Sequence, residues 1–413
     1  MLANSKGYTR KNTCRICLSK RLTPILSLGT MAPANSFLTR GQTKKPERKF
    51  PLAIQFCPNC SLLSLAHVVN PNLLFANYYY LTSASAPLVE HFKDEAKLIA
   101  SRYIKSKHDL VIEFGSNDGG LLLALKNKCR VLGVDPAKNV ATIAKKNGVE
   151  TKVAFFTEKT AKDIWMHYGK AKVVLANNVF AHIDDIHDVM RGVTKLLEPK
   201  GVFISESHWV GNLIGDGGFD QIYHEHLCYY SLHALSALAK QFGLVVTDAE
   251  LVPIHGQSLR VFMSKTGTPN TRVKKILTRE KKLGLHKIKT YRQFAKNTRQ
   301  NKKVVQKLLS KLRKADKHIV GYGAPAKSNT LLNYFGIGPK ILSYITDTTP
   351  NKQEHFTPGS HIPVVHPDTL KKNPPDYILL LSWNYANFIL KKEKPLRKAG
   401  VKFIIPVPKV RVV

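Results

Sequence analysis

Between Phe219 and Leu227 the chain reads F-D-Q-I-Y-H-E-H-L. Four groups that can give or take a proton stand side by side there: Tyr223, His224, Glu225 and His226. A histidine beside a glutamate is a natural general base, since the carboxylate orients the imidazole and raises its basicity. A tyrosine hydroxyl can hydrogen-bond the oxygen of a developing enolate. The two histidines are too close for the H-E-x-x-H of a helical zinc site, so acid–base work is expected here rather than metal binding. Two nearby loops add His182, in N-N-V-F-A-H-I-D-D (Asn177–Asp185), and His255 with Arg260, in P-I-H-G-Q-S-L-R. His182 reads either as a ligand at the edge of a sheet or as a loop histidine that caps the following helix.

Upstream, V-I-E-F-G-S-N-D-G-G runs from Val111 to Gly120. An apolar strand ends at Glu113 and turns through Gly115, Asn117 and Gly119 into a helix, and these glycines let a ligand approach the backbone closely. Asp135 closes the next strand, where an acid accepts hydrogen bonds from ribose hydroxyls. The spacing is G-x-x-x-G rather than G-x-G-x-x-G, and Glu113 and Asp118 make the loop acidic. Acid disfavours a pyrophosphate and suits a sulfonium cation, so S-adenosylmethionine is expected over NAD. Asn177 ends the fourth strand of the same sheet. Separately, Cys14-x-x-Cys17 and Cys57-Pro-Asn-Cys60 form two knuckles whose four thiolates suit a tetrahedral structural Zn2+. The 39 residues between the pairs exceed the usual ribbon spacing. Cys129 and Cys228 read as packing residues.

These residues need a sheet to hold them. Strands are expected at Asp109–Phe114, Arg130–Asp135, Thr151–Phe155, Ala171–Asn178 and Val202–Glu206. Helices are expected at Leu88–Lys105, Leu121–Asn127, Ala137–Asn147 and Leu232–Phe242. The alternation predicts a parallel, doubly wound α/β sheet with Val245–Leu251 and Leu259–Ser264 as an antiparallel pair at its edge. Residues 270–317 read as long helices with basic outer faces, apart from a gap in the apolar spacing at Lys296–Lys303. A second α/β segment follows, with strands at His318–Gly321, Ile341–Thr346, Tyr377–Leu381 and Lys402–Val407. Its turn, Gly321, Gly323 and Lys327, suits a diphosphate, or is a plain α/β turn with a solvated lysine. The expected domains are 1–70, 71–268, 269–317 and 318–413.

The 413 residues carry a net charge of +36. It divides unevenly: +10 in residues 1–50, +1 in 51–264, +17 in 265–317 and +8 in 318–413. A nucleic-acid methyltransferase would put that charge to use. Against it, the N-P-P-D at Asn373–Asp376 lies far beyond the cofactor sheet's fourth strand, where such a motif must sit. No specific nucleic acid is expected, and the basic helices read as solvated faces. No apolar run is long enough for a membrane span, and the polar start is no secretory signal, so a cytoplasmic address is expected. The residues do not fix the oligomeric state, and a monomer is the default expectation.

Taken together the motifs resemble the three-part sugar-nucleotide C-methyltransferases over nearly the whole chain. They are the cysteine pairs, L-G-x-x-x-P-A-N-S-F-L at Leu28–Leu38, Y-L-T-S-A-S at Tyr80–Ser85, E-F-G-S-N-D-G, F-D-Q-I-Y-x-E-H, P-x-H-G at Pro253–Gly256, G-Y-G-A-P-A-K-S-N at Gly321–Asn329 and P-G-S-H-I-P-V at Pro358–Val364. The resemblance implies a zinc module, a class I (Rossmann-like) methyltransferase domain and a Rossmann-like C-terminal domain that helps bind the sugar nucleotide. It implies a nucleotide-linked 4-keto-deoxysugar, deprotonated beside its ketone and methylated at that carbon; another keto acceptor would need the same chemistry. His226 would be the base with Glu225 orienting it, while Tyr223, His182 and Tyr80 hydrogen-bond the sugar or enolate oxygen. Asn35, His255, Lys327 and Asn329 would touch substrate. Gln257 and Ser258 depart from the double-glycine form of the P-x-H-G loop, which leaves the sugar preference open.

Overall fold

A computed structural model describes residues 7–75, 81–254 and 256–413. Its central sheet has seven strands in the order Val245–Val252, Ser258–Ser264, Leu197–His208, Ala171–Asn177, Leu110–Phe114, Arg130–Asp135 and Thr151–Val153. All pairings are parallel except those of Ser258–Ser264, which runs against both neighbours. The sheet is buried on both faces, which is why Leu110–Phe114 and Ala171–Asn177 read as continuous apolar runs rather than alternating ones. Chain order reverses between those two strands. The turn after Leu110–Phe114 and the end of Ala171–Asn177 therefore flank the crevice where doubly wound sheets bind ligands. Helices at Glu158–Tyr168 and Ile186–Leu196 complete the crossovers.

The N-terminal region forms a second sheet: Thr23–Met31, Phe50–Phe56 and Leu63–Leu65 pair antiparallel in that order. Its fourth strand comes from far along the chain. Cys228–Tyr229, just past His226, pairs with Leu63–Ser64, and Leu65 N–H donates to Leu227 O at 2.9 Å. The C-terminal sheet runs Val364–Val365, Ile345–Thr346, Ile319–Tyr322, Tyr377–Leu380, Lys402–Ile405 and Arg411–Val412, parallel except for its last pair. The strand expected at Ile341–Thr346 shrinks to Ile345–Thr346.

Helices Thr271–Lys282 and Ile288–Lys314 tie these sheets together. Tyr291 packs against Phe56 of the N-terminal sheet, with ring centroids 4.6 Å apart and the rings tilted. The break in the apolar spacing at Lys296–Lys303 is filled by two buried polar residues. Thr298 bonds back to Phe294 O at 2.9 Å, and Asn301 Nδ2 donates to Pro406 O at 2.7 Å. Among the described residues no helix is long and apolar enough to cross a membrane.

Glu280 is buried and accepts from Trp209 Nε1 at 2.7 Å, Leu232 N at 2.7 Å and His233 N at 3.0 Å. It thereby caps helix Leu232–Gln241 from another element. Glu280→Leu strands two buried donors, Trp209 Nε1 and Leu232 N, at roughly 1–3 kcal/mol each, and a part-buried third. We expect a clearly lowered urea midpoint, whereas an unchanged midpoint would remove the cap from the interactions that hold the fold.

Candidate active site

The cofactor loop is shaped by its backbone. Gly115 has φ +67°, and a Cβ there would run into the Val179 side chain, so only glycine fits. Asn117 follows at φ +52°. The Asp135 carboxylate holds the loop: one oxygen accepts from Asn117 N and the other from Ala137 N, both at 2.9 Å. Each carboxylate oxygen keeps a second acceptor site for a ribose hydroxyl. Asp118 is engaged by Thr82 Oγ1 and by Ser83 N at 3.0 Å, and Thr82 N donates to Asn117 Oδ1 at 3.2 Å. The Leu81–Ser85 part of Y-L-T-S-A-S is thus docked on the cofactor turn. Tyr80 and His255 lie outside the described residues.

Beneath the loop the acids are buried in excess. Burial pushes Glu113 well above the usual carboxylate range, and its Oε2 has no hydrogen-bond partner. Burial also pushes Glu95 up, to about 7, against the pull of Arg260. Glu95 accepts from Asn177 Nδ2 at 2.9 Å, leaving Glu95 Oε1 and Asn177 Oδ1 unpaired. Buried unpaired acceptors of this kind fit a ligand that brings positive charge and N–H donors, as the methionyl end of S-adenosylmethionine does. Sequence reasoning missed Glu95, whose signal was an acid on the buried face of an amphipathic helix. His91, Glu95 and Glu206 cluster like metal ligands, but Arg260 already supplies the cation. Its Nη2 lies 2.7 Å from Glu206, 3.0 Å from His91 and 3.2 Å from Glu95.

Across the sheet edge stands the acid–base group. His226 Nδ1 lies 3.0 Å from Gln221 O, and Nε2 lies 2.7 Å from Tyr223 Oη. A carbonyl only accepts, so this network assigns the proton to Nδ1 and leaves Nε2 as the basic nitrogen. The orienting contact expected of Glu225 is therefore supplied by the Gln221 carbonyl. Glu225 is instead gripped by Asn35, whose Nδ2 lies 2.8 and 3.0 Å from its two oxygens. Burial pushes the Glu225 carboxyl up to about 7, with Asn35 opposing. The His182 and His208 rings lie 5.1 and 5.3 Å from that of His226. Burial, then charge at His208, brings His182 down to about 4. His208, at the end of strand Leu197–His208, was not foreseen, because it stands outside every motif.

The other expected substrate contacts have protein partners. Asn329 Nδ2 donates to Ala34 O at 2.6 Å. Lys327 lies over the Trp383 ring at 4.1 Å and 3.5 Å from Asp220, with its side chain largely enclosed. The four cysteines meet as expected. Cys14 and Cys60 sulfurs are 3.4 Å apart, Cys17 and Cys57 sulfurs 3.5 Å, and all four sulfurs lie within 4.8 Å of one another. Tetrahedral zinc with ~2.3 Å bonds sets its sulfurs near 3.8 Å, so the group fits.

Comparison with known proteins follows this geometry. Family models match in three stretches: "Putative zinc binding domain" over 14–75, "Methyltransferase domain" over 90–249 and "C-methyltransferase C-terminal domain" over 253–408. C-methyltransferase NovU of Streptomyces niveus is 36% identical over 97% of this chain and 96% of its own. The chain belongs to the C-methyltransferases. Its cofactor is S-adenosylmethionine, and its zinc is structural. Solved structures similar to part of this C-methyltransferase include CcbJ from Streptomyces caelestis, at 14% identity, 46% of this chain, 100% of that chain and TM-score 0.35. Magnesium protoporphyrin IX methyltransferase from Synechocystis PCC 6803 gives 12%, 44%, 82% and 0.33.

Two outcomes follow for this C-methyltransferase. Metal analysis should find about one zinc per chain, lost in Cys60→Ser; a zinc-free wild type would refute the site. Burial also lowers His224 to about 4 from an ordinary 6.5. A depressed histidine gives stability that is full above the unfolded pKa and is lost as pH falls toward the folded one. His224→Gln should therefore gain on wild type between about pH 6.5 and 4, by up to about 3 kcal/mol. A constant gap in unfolding midpoint over that range would show that His224 is not held neutral.

Proposed function

We propose that this C-methyltransferase methylates the carbon next to the ketone of a nucleotide-linked 4-keto-deoxysugar, by way of an enolate. The reading rests on one observation above the others: a basic His226 Nε2 held by Tyr223 and aimed by a backbone carbonyl, at the sheet edge that carries the cofactor turn. His226 Nε2 takes the proton from that carbon, and the electron pair of the C–H bond moves into the enolate. Tyr223, neutral His182 and Tyr80 hydrogen-bond the developing oxyanion or the sugar hydroxyls. Glu225, poised near neutrality, belongs to the same group. S-adenosylmethionine supplies the electrophilic methyl, and S-adenosylhomocysteine and a branched sugar leave.

Glu113, Gly115, Asn117, Gly119, Asp135 and Asn177 are the residues we assign to the cofactor, with Glu95 added to them. His255 remains the assigned substrate contact in its loop. Asn35, Lys327 and Asn329 serve the substrate through the framework they hold. The division into 1–70, 71–268, 269–317 and 318–413 describes the working parts, with the second crossed by the strand Cys228–Tyr229. We place the reaction in the cytoplasm, where thiols stay reduced for zinc.

The test is methyl transfer to a panel of nucleotide-linked keto sugars. His226→Ala should cut turnover by at least about 100-fold while S-adenosylmethionine binding survives. Deuterium exchange from solvent at the carbon beside the ketone should vanish with it. Full turnover in that variant would end the assignment of the base.

A further inference from the structure

We propose that Asn35 of the zinc module is a positioning residue for the methyl-transfer site, acting through the carboxyl group of Glu225. The proposal rests on the preceding assignment of Glu225 and His226 to catalysis. Sequence resemblance had pointed to Asn35 as a substrate contact. In the structure its amide is directed at both oxygens of Glu225, at 2.8 and 3.0 Å.

The grip is built from several directions. Asn35 lies in the loop that follows strand Thr23–Met31, in P-A-N-S-F-L. The residue before it is tied to the C-terminal domain, where Asn329 Nδ2 donates to Ala34 O at 2.6 Å. Three residues beyond it, Leu38 and Phe356 exchange backbone hydrogen bonds at 2.9 and 2.8 Å. From the other side, the chain leaving His226 enters the zinc module's own sheet through Cys228–Tyr229. Asn35 and Glu225 are therefore held on two surfaces that cannot slide past each other. The zinc knuckle reaches the site by a second arm. Arg15, between Cys14 and Cys17, donates Nε to Asp184 at 3.0 Å, two residues from His182.

Glu225 needs such a partner. It is 3% exposed, and among the described residues no charged side chain contributes to its titration. Burial drives the carboxyl toward the neutral form, and the Asn35 amide opposes it by donating to the charged form. Tyr223 and His226 on the same loop are engaged with each other, and His224 turns to Phe50 O at 3.1 Å. An amide is the group this place calls for. It donates to the carboxylate without adding charge beside His226, where a lysine or arginine would suppress proton uptake.

The test uses the full-length, zinc-loaded enzyme with Asn35→Ala, Asn35→Asp and Asn35→Gln. Carbon-13 NMR of glutamate-labelled protein, assigned with Glu225→Gln, follows the Glu225 carboxyl directly and needs no turnover. Asn35→Ala should move its titration upward, and Asn35→Asp further, while Asn35→Gln restores part of the shift. Turnover on the accepted keto sugar should fall about tenfold or more in kcat with KM within about threefold, since small misplacement of a reacting group is costly. Zinc content and S-adenosylmethionine affinity should hold. Asn35→Ala should add nothing further in a Glu225→Gln background. An unmoved Glu225 titration in Asn35→Ala overturns the proposal whatever the reaction proves to be. So does a loss confined to KM, which would make Asn35 a direct substrate contact. If Glu225→Gln and His226→Ala both keep full turnover, the catalytic assignment falls and the proposal falls with it. Should Asn35→Ala unfold, Asn329→Ala, which frees only Ala34, must give the same upward shift in weaker form; no shift there overturns the proposal.

Discussion

The segment from Phe219 to Tyr229 has to satisfy two sheets at once. Its beginning leaves the cofactor sheet after Leu197–His208 and helix Val210–Gly215, and its end is the edge strand of the N-terminal sheet. Backbone pairing of Cys228 with Ser64 and Tyr229 with Leu63 fixes the register. A one-residue slip would turn every side chain of the strand to the opposite face. Tyr223, Glu225 and His226 are suspended between these two fixed points. Further contacts reach the segment from distant parts of the chain: Asn35 on Glu225, Phe50 on His224, Thr330 on Ile222, and Trp383 and Lys327 on Asp220. A site assembled this way exists only when all parts of the chain are docked.

That constraint explains why zinc is needed far from the chemistry. Residues 7–75 make only a small sheet and would bury too little apolar surface to be rigid unaided. Four thiolates on one ion cross-link its two knuckles. The fixed knuckle then carries Arg15 to Asp184, and Ile16 O receives His187 Nε2 at 2.7 Å. Rigidity given to the module is thereby passed to the loop that holds His182.

Much of this was legible in the residues. The cysteine pairs, the glycine turn with its acids and the Y-H-E-H run each state their chemistry within a few positions. The central strands were found within about three residues, except that Leu197–His208 extends well beyond its expected core. What stayed hidden is partnership across distance. Asn35 meets Glu225 across 190 residues and Asn329 meets Ala34 across 295, and neither separation leaves a periodic trace. The N-terminal strands were missed because prolines, cysteines and turn residues interrupt their alternation. The Trp383 and Asp220 that enclose Lys327 are likewise distant from it in sequence.

The same enclosure accounts for the charge. Of the 28 acidic residues, nine are buried: Glu95, Glu113, Asp118, Asp135, Glu206, Asp220, Glu225, Asp248 and Glu280. Among the described residues only two cations, Arg15 and Arg260, are buried to the same degree. Acids have been drawn inward to hold loops, cap a helix and line the cofactor crevice, so the surface is more basic than the formal +36 suggests. Between residues 271 and 314, sixteen lysines and arginines are exposed. The buried faces of those helices are spent on the core and on Pro406, and among their described cations Arg272 is paired with Asp248 and Glu250. Excess cation on the outside is then the counterpart of excess acid within. A field of that sign raises the local concentration of anions near the enzyme.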